Sequence, residues 1–250
     1  MKETRVMMGM HITVEIAGDA PAEGAIEKVF SYFNYVDEKF STYKDTSEIT
    51  KINKGELRKS EYSKDMKAVL ALCEETKKET GGYFDIVARD GSRDPSGLVK
   101  GWSIYNASKL LLDDGFKNFY IDAGGDIQVH GRNQEGKVWS VGIKNPFNQK
   151  EIVKVLYVKN EGVATSGTYI RGQHIYDPND KKKHITEIVS ITVVGPNIYE
   201  ADRFATAAFA MGREGIVFIE KLPGFEGYMI DKDGTATMTS GFEKYTRQHA

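Results

Sequence analysis

Two short segments of the chain hold the side chains best suited to chemistry. Residues 174–178 read HIYDP, which places the imidazole of His174 three positions before a carboxylate. Residues 200–206 read EADRFAT, and helical spacing there puts Asp202 and Thr206 on one face, because i and i+4 side chains lie one above the other. One segment offers a proton acceptor and the other offers two oxygen ligands for a hard cation. Together they favour chemistry on a phosphate over chemistry on a carbonyl or a redox centre.

Each of these residues also has an ordinary structural interpretation. Asp202 in a first helical turn would interact favourably with the helix dipole, and Thr206 would hydrogen-bond a backbone carbonyl. A lone histidine is more often a surface or core residue than a ligand, and the five histidines show no zinc spacing. Ser166 lacks a G-x-S-x-G context, which favours a hydroxyl-rich turn facing a ligand over a nucleophile. Taken singly, these residues leave both interpretations open.

Two glycine-containing motifs allow either a tight turn or a close approach of the backbone to a ligand: GGYFDI at residues 81–86 and DAGGD at 122–126. A third, DPSG at residues 94–97, precedes a lysine. KGW at residues 100–102 places Lys100 at the start of a predicted helix, where an ammonium and free backbone N–H groups would suit a phosphate. The spacing of a P-loop is absent, and no G-x-G-x-x-G follows a strand. A Rossmann-type dinucleotide site is therefore disfavoured.

The order of these motifs resembles that of the FAD:protein FMN transferases, the ApbE family, over nearly the whole chain. The segments that carry the resemblance are MGM (residues 8–10), FSTYKDTSEITKIN, GGYFDI, DPSGLVKGW, DAGGDI, TSGTY, HIYDP, SITVV and EADRFATAAFAMG. Members of this family transfer FMN from FAD, as a phosphoester, to a threonine or serine of an acceptor protein, release AMP and require Mg²⁺. The resemblance therefore implies a magnesium-dependent flavin transferase that uses FAD and modifies a partner protein.

The resemblance also implies roles for individual residues. His174 would be the catalytic base, since an ordinary histidine, with a pKa of about 6.5, accepts a proton from a hydroxyl group at neutral pH. Asp202, Thr206 and the carbonyl of Gly97 would bind Mg²⁺, which takes one or two carboxylates together with waters and phosphate oxygens. The residues implied to bind the flavin substrate are Met8, Tyr43, Tyr83, Phe84, Asp85, Asp94, Lys100 and the backbone near Tyr176. The aromatic members of this set would give a flavin ring an apolar, stackable wall.

The sequence departs from the family pattern at three motifs. Residues 87–93 replace a segment of several tens of residues that most relatives carry after GGYFDI, so this is a short form with a more open flavin cleft. Met10 stands where the family usually has threonine, and the DPNDKKKH turn lacks the usual Thr-Gly after Asp-Pro. We expect these changes to affect the affinity for FAD more than any other property that the resemblance implies.

Two other functions use the same residues. With water as the acceptor, the site would be an FAD pyrophosphatase that yields FMN and AMP. If the shortened cleft binds FAD without catalysing a reaction, the chain would be a flavin-binding protein. The products formed from FAD in the presence of Mg²⁺ distinguish the three.

Bulk composition limits the other possibilities. A chain of 250 residues is long enough for one large domain, and we expect a single flavin-transferase domain over residues 1–250. The net charge of −2, with both signs interspersed, provides no basic surface for nucleic acid or an anionic membrane. The single cysteine, Cys73, excludes an internal disulfide, and its apolar spacing predicts the core side of a helix.

The start of the sequence shows no apolar export signal and no cysteine to lipidate, and no later run is long enough to span a bilayer. We therefore expect a cytoplasmic protein from the sequence as given. An exported or membrane-anchored protein is expected if the sequence is a piece of a longer chain.

Hydrophobic periodicity predicts the elements that position these residues. Alternation predicts strands at residues 10–16, 119–122, 127–130, 139–144, 153–158 and 188–194, and a terminal hairpin around residues 233–234. Helical spacing predicts helices at about 22–39, 63–78, 101–114, 199–211 and 213–222, with a short helix capped by Ser47. The predicted class is α+β, with helices packed on mixed, largely antiparallel sheets and the active site in a cleft between two intimate lobes.

Overall fold

A computed structural model of the chain describes residues 1–88, 90–167 and 185–247. The helices are α1 (Glu23–Phe40), α2 (Glu48–Asn53), α3 (Lys64–Glu79), α4 (Ser96–Asp113), α5 (Ile198–Ala210) and α6 (Glu214–Glu220). The strands are β1 (Lys2–Met7), β2 (Met10–Ile16), β3 (Phe119–Ala123), β4 (Asp126–His130), β5 (Trp139–Asn145), β6 (Asn148–Val158), β7 (Gly162–Gly167), β8 (Ile188–Gly195), β9 (Glu226–Asp231) and β10 (Ala236–Met238). Two 3₁₀ helices lie at Lys59–Glu61 and Phe242–Tyr245.

Eight of the strands form one sheet in the order β1-β2-β3-β4-β7-β8-β9-β10, and β5 pairs with β6 in a separate two-stranded ribbon. Every pairing between these strands is antiparallel. Short turns join β1 to β2, β3 to β4, β5 to β6 and β9 to β10, as expected for antiparallel neighbours, whereas long segments that contain helices or the ribbon separate β2 from β3, β4 from β7 and β8 from β9. The predicted α+β class is confirmed.

Three apolar clusters hold the layers together. The first lies between the sheet and helices α1, α4, α5 and α6, and includes Ile12, Ile104 and Phe209. The second joins α1, α2 and α3 to the first turn of α4 through residues such as Met66 and Leu98. The third lies on the opposite face of the sheet, which the β5–β6 ribbon covers. Helices and ribbon therefore bury the sheet from both sides.

Serine side chains fix the starts of two helices in the second cluster. The Ser47 hydroxyl accepts a hydrogen bond from the Thr50 N–H at 3.1 Å, and the Ser63 hydroxyl accepts one from the Met66 N–H at 3.2 Å. A hydroxyl at this position satisfies a backbone donor that the helix itself leaves unpaired. The predicted cap at Ser47 is confirmed, and Ser63 caps the helix that was predicted to begin near residue 63.

Two local predictions are wrong. Helix α4 begins at Ser96 rather than near Gly101, so Lys100 lies a full turn inside the helix and not at its start. Ser166 does not belong to a turn, because it is buried in strand β7 and pairs with Ile191 of β8. The start of α4 carries Pro, Ser and Gly, whose low helix propensity conceals it in the sequence.

Within the described parts of the chain, none of the helices combines the length and the apolar character needed to cross a bilayer.

Candidate functional site

The predicted metal ligands lie where helices α4 and α5 pack against each other. The Thr206 hydroxyl on α5 donates a long hydrogen bond of 3.4 Å to the carbonyl oxygen of Gly97 on α4. A Cβ atom added at Gly97 would lie 3.3 Å from Thr206 Cγ2 and 3.5 Å from Phe84 Cε2. The absence of a side chain at position 97 therefore brings a carbonyl, a hydroxyl and an aromatic edge together.

One turn along both helices, Asp202 faces Gly101. The Asp202 carboxylate accepts a hydrogen bond of 2.8 Å from the Gly101 N–H, and both residues are buried. A Cβ atom at Gly101 would lie only 2.6 Å from Asp202 Cβ and 2.8 Å from the carbonyl oxygen of Ile198. Two glycines four residues apart thus let α4 approach α5 closely. The predicted ligands Gly97, Asp202 and Thr206 follow the contact between the two helices.

A second buried carboxylate, Asp126, reaches the same place from the sheet. Asp126 begins β4 directly after the Gly124–Gly125 turn, and its Oδ1 accepts a hydrogen bond of 3.0 Å from the Thr165 N–H. Its Oδ2 forms an ion pair with the ammonium of Lys100, but no hydrogen bond of normal geometry reaches this buried oxygen from the described residues. The helix contact therefore contains two carboxylates and one ammonium.

The electrostatics of this cluster disfavour an ionised Asp202. Burial raises the pKa of Asp202 well above its ordinary value, and the nearby Asp126 raises it further. The Lys100 ammonium and the Gly101 N–H act in the opposite direction without offsetting the burial. If both carboxylates are ionised, one ammonium leaves negative charge in excess, and a bound cation would offset that charge and favour the ionised form of Asp202.

The aromatic segment after α3 borders the helix contact. Phe84 is buried, and its backbone N–H donates to the Thr80 hydroxyl at 3.1 Å. Tyr83 is half-buried against the second apolar cluster. Asp85 accepts from the Val87 N–H at 3.0 Å and forms an ion pair of 2.9 Å with Lys77. The Phe84 ring therefore borders Gly97, since its Cε2 would lie 3.5 Å from a Cβ atom added there.

Three further predicted flavin-binding residues lie on loops. Met8 has a positive φ of 52° in the tight turn between β1 and β2, and it packs against both the first and the second apolar clusters. Asp94 is exposed, and its carboxylate accepts a hydrogen bond of 3.0 Å from the Ser96 N–H at the start of α4. Tyr43 is 98 % exposed between α1 and α2. A positive φ on a residue other than glycine is strained, and such strain is concentrated at functional sites.

The remaining predicted site residues, His174 and Tyr176, lie outside the described residues. Their roles as base and as flavin contact stay predictions from the sequence.

Two further features of the described residues are distinct from this arrangement. No group of three or more His, Cys, Asp or Glu side chains among them could hold a metal ion, whereas the predicted set uses a single carboxylate with a hydroxyl and a carbonyl. A cavity of about 320 Å³ lies near α1 and α2, lined by Tyr35, Glu38, Lys39, Thr46, Glu48, Lys51 and Leu57. None of the predicted site residues lines that cavity.

Comparison of the sequence with models of known protein families identifies the family of this chain. The sequence model of the ApbE family matches the chain in two segments, residues 8–93 and 89–229. These segments cover most of the chain and contain the helix contact, the aromatic segment and the strained turn. The chain belongs to the ApbE family.

Two curated relatives have the same name, FAD:protein FMN transferase. An FAD:protein FMN transferase of Vibrio cholerae is 30 % identical over 161 residues, which cover 61 % of this chain and 47 % of that protein. An FAD:protein FMN transferase of Klebsiella pneumoniae is 28 % identical over 155 residues, covering 58 % of this chain and 44 % of the relative. The matched segment thus spans about half the length of these relatives.

Solved ApbE structures share the fold over its whole length. The flavin transferase ApbE from Vibrio cholerae superimposes with a TM-score of 0.84 at 22 % identity, covering 98 % of each chain. The ApbE protein of Thermotoga maritima gives a TM-score of 0.86 at 19 % identity, covering 99 % of each chain. At this identity the likeness establishes the ApbE fold and does not by itself assign an activity.

Sequence reasoning missed two residues of the helix contact. Gly101 was treated as part of a helix start, and Asp126 was treated as one end of a glycine turn. The signal for Gly101 was its four-residue spacing from Gly97, which places both on one helix face. For Asp126 the signal was an acidic residue opening a strand with an apolar pattern, where a carboxylate needs a partner.

Proposed function

We propose that this chain transfers FMN from FAD to the hydroxyl of a threonine or serine in an acceptor protein and releases AMP. The observation that carries the proposal is the contact between α4 and α5, where Asp202, Thr206 and the Gly97 carbonyl lie beside Lys100 and Phe84. A carboxylate, a hydroxyl, a carbonyl, an ammonium and an aromatic edge at this contact support a site for a cation and a flavin diphosphate. The name carried by the sequence relatives supports the same reaction.

The donor set at this site fits Mg²⁺. Its atoms are all oxygens, the class of ligand that this ion takes, and Asp202 supplies the single carboxylate that Mg²⁺ commonly uses beside substrate phosphates. The negative charge that Asp126 and Asp202 would carry in excess of Lys100 when both are ionised is a second reason to expect a cation. When bound, Mg²⁺ would neutralise charge on the phosphoryl oxygens of the substrate.

The protein's own residues would bind and orient FAD. Lys100 would place its ammonium against the diphosphate, where a flexible point charge is well suited to phosphate oxygens. Phe84 and Tyr83 would contact the flavin ring from the aromatic segment. Met8, Asp85, Asp94 and the exposed Tyr43 would complete the binding site from the surrounding loops, with Tyr176 contributing its backbone.

His174 would act as the base. In the proposed step the acceptor oxygen attacks the phosphorus on the flavin side of the diphosphate, and its proton passes to His174. The bond between that phosphorus and the bridging oxygen breaks, and AMP departs with the bridging oxygen. The product is a phosphoester between FMN and the acceptor, so atoms and charge balance without a further reactant.

The test is to incubate the chain with FAD, Mg²⁺ and a peptide carrying a threonine, and to follow peptide mass and nucleotide products together. We expect the peptide to gain the mass of one FMN while AMP appears. FMN and AMP with an unmodified peptide would support the pyrophosphatase instead. Intact FAD that stays bound would support a flavin-binding protein.

Replacing His174 tests the assigned base within the same assay. We expect His174→Ala to abolish transfer while FAD still binds, because the substitution removes the proton acceptor and leaves the binding residues in place. The matched control is His11→Ala, at an exposed position of β2. Wild-type transfer rates in the His174 variant would remove this residue from the mechanism.

A further inference from the structure

Lys100 occupies an unusual position for a substrate-binding lysine. Its side chain is 22 % exposed and forms an ion pair with Asp126, whose side chain is 2 % exposed. The backbone N–H of the next residue, Gly101, is hydrogen-bonded to Asp202. One residue on α4 therefore directs an ammonium towards one buried carboxylate, while its neighbour binds the other.

The charges of this cluster do not balance once Asp202 is ionised, which is the form that binds a metal ion. Asp126 and Asp202 would contribute two negative charges when ionised, and Lys100 contributes a single positive charge. Burial in a medium of low dielectric makes this difference costly, since the second carboxylate loses its hydration without gaining a positive charge of its own. The cluster therefore has room for a further positive charge.

A divalent cation held by Asp202 would reverse this balance. The positive charge would then exceed the negative charge, and the ammonium of Lys100 would be repelled by the metal ion beside it. The lysine stem has four rotatable carbons, so its ammonium can move without any movement of helix α4.

We propose that Asp126 is a positioning residue that holds Lys100 as the resident cation of the metal-free site, and that Lys100 leaves Asp126 for the substrate diphosphate when a divalent cation binds. The role of the diphosphate rests on the proposed function. Exchange of the ammonium for the metal ion is a property of this cluster alone and is measurable without FAD.

This exchange makes the cation and the diphosphate mutually dependent. The cation releases the ammonium that the diphosphate needs, and the diphosphate removes an ammonium that competes with the cation. By linkage, each ligand must increase the affinity of the other by the same factor. We therefore expect FAD to bind more tightly with Mg²⁺ present, and Mg²⁺ to bind more tightly with FAD present.

The first experiment is a calorimetric titration of Mg²⁺ into the FAD-free protein, comparing wild type with Lys100→Met. Removing the competing ammonium should tighten Mg²⁺ binding by about 10-fold, within the usual range of coupling between sites. Lys100→Arg, which keeps the positive charge, should bind Mg²⁺ with affinity close to that of wild type. Lys28→Met is the charge-matched control, because Lys28 pairs with Asp114 on the surface.

A double substitution tests the part played by Asp126. If Lys100 affects the cation through Asp126, then Lys100→Met should have a much smaller effect on Mg²⁺ affinity when Asp126 is already Asn. An undiminished effect in the Asp126→Asn background would assign the competition to a different partner and overturn the role of Asp126.

A measurement on the wild-type chain covers the case in which the Lys100 variant does not fold. Acylation of surface amines, followed by mass spectrometry, reports how accessible each lysine is. Mg²⁺ alone should increase labelling of Lys100 severalfold and leave Lys28 unchanged, and FAD added with Mg²⁺ should protect Lys100 again. Unchanged labelling of Lys100 with Mg²⁺ would overturn the exchange.

The outcomes separate this proposal from the proposed function. Equal or weaker Mg²⁺ binding in Lys100→Met, or no binding in either protein, overturns the exchange even if FMN transfer occurs. Tighter binding in Lys100→Met without any FMN transfer supports the exchange and leaves the reaction to be reassigned.

Discussion

At the scale of single residues, Asp202 combines burial with a predicted role that requires a negative charge. Burial raises its pKa, so ionising the Asp202 carboxyl costs free energy unless a cation lies beside it. A buried carboxylate that lowers the stability of the protein on its own, but is a suitable ligand for a cation, is typical of a functional site rather than a structural one.

We expect Asp202→Asn to raise the Mg²⁺ concentration needed for half-maximal FMN transfer by about 10-fold or more, because the side chain keeps its shape and loses its charge. The unfolding temperature of the variant measured without metal should equal or exceed that of wild type, since the substitution removes a buried carboxyl group whose ionisation next to Asp126 is costly. A magnesium titration of the transfer rate and a thermal melt measure the two effects. Asp45→Asn, at a side chain that is 92 % exposed, is the control, and an unchanged titration in Asp202→Asn would refute the metal assignment.

The residue scale also shows where sequence reasoning succeeds and fails. Asp202 and Thr206 could be paired from their spacing, because helical periodicity alone puts them on one face. The position of Asp126 at the start of an apolar strand indicated that its carboxylate needs a partner, but its partners Lys100 and Thr165 could not be predicted, because they come from a different helix and a different strand. Contacts between elements distant in sequence leave no local pattern.

At the scale of elements, the site depends on the close approach of α4 to α5. Helices usually pack with their axes about 8–10 Å apart, and small residues at the contact allow the shorter distances. Gly97 and Gly101 provide this surface on α4, while Ala201 and Ala205 lie on the buried face of α5.

We expect Gly101→Ala to destabilise the fold by about 1–3 kcal/mol, since the added methyl group would overlap Asp202 Cβ and the Ile198 carbonyl. It should also weaken Mg²⁺ binding by displacing the Asp202 carboxylate. Chemical denaturation and a magnesium titration measure the two effects. Gly24→Ala in α1 is the matched control, because no atom lies within 4 Å of its added Cβ and alanine favours a helix by about 0.5–1 kcal/mol. Equal stability of the two variants would contradict the proposed close packing.

At the scale of the whole molecule, the sequence was informative about element types and less so about their arrangement. Strands with alternating patterns, such as β2 and β5, were predicted to within a residue, because one face of each is buried. Strand β1 at the sheet edge and the short β7, rich in small residues, were missed because neither shows a clear apolar alternation. The strand order also escaped prediction, since β4 pairs with β7 across the whole β5–β6 ribbon.

The layer of helices is tied together by Arg203, which follows Asp202 on α5. Its side chain is 8 % exposed and forms ion pairs with Glu79 at the end of α3 and with Glu200 on α5, and it donates to the Thr76 hydroxyl at 3.2 Å. Bonds to a charged donor that bridges two elements stabilise the protein more than pairs on a free surface do.

We expect Arg203→Met to lower the free energy of unfolding by about 2 kcal/mol, because methionine keeps the apolar stem but leaves the charged partners without their donor. The same variant should reduce Mg²⁺ affinity, since α5 would lose its tie to α3 next to the Asp202 ligand. Denaturant unfolding gives the first quantity and calorimetry the second. Arg58→Met is the control, because that side chain is 83 % exposed and solvent screens its pair with Glu61, which should therefore contribute little to stability. If both variants unfold at the same denaturant concentration as wild type, the ion pair between Arg203 and Glu79 does not contribute to stability. The position of Asp202 would then depend on the contact between α5 and α4, and not on the contact between α5 and α3.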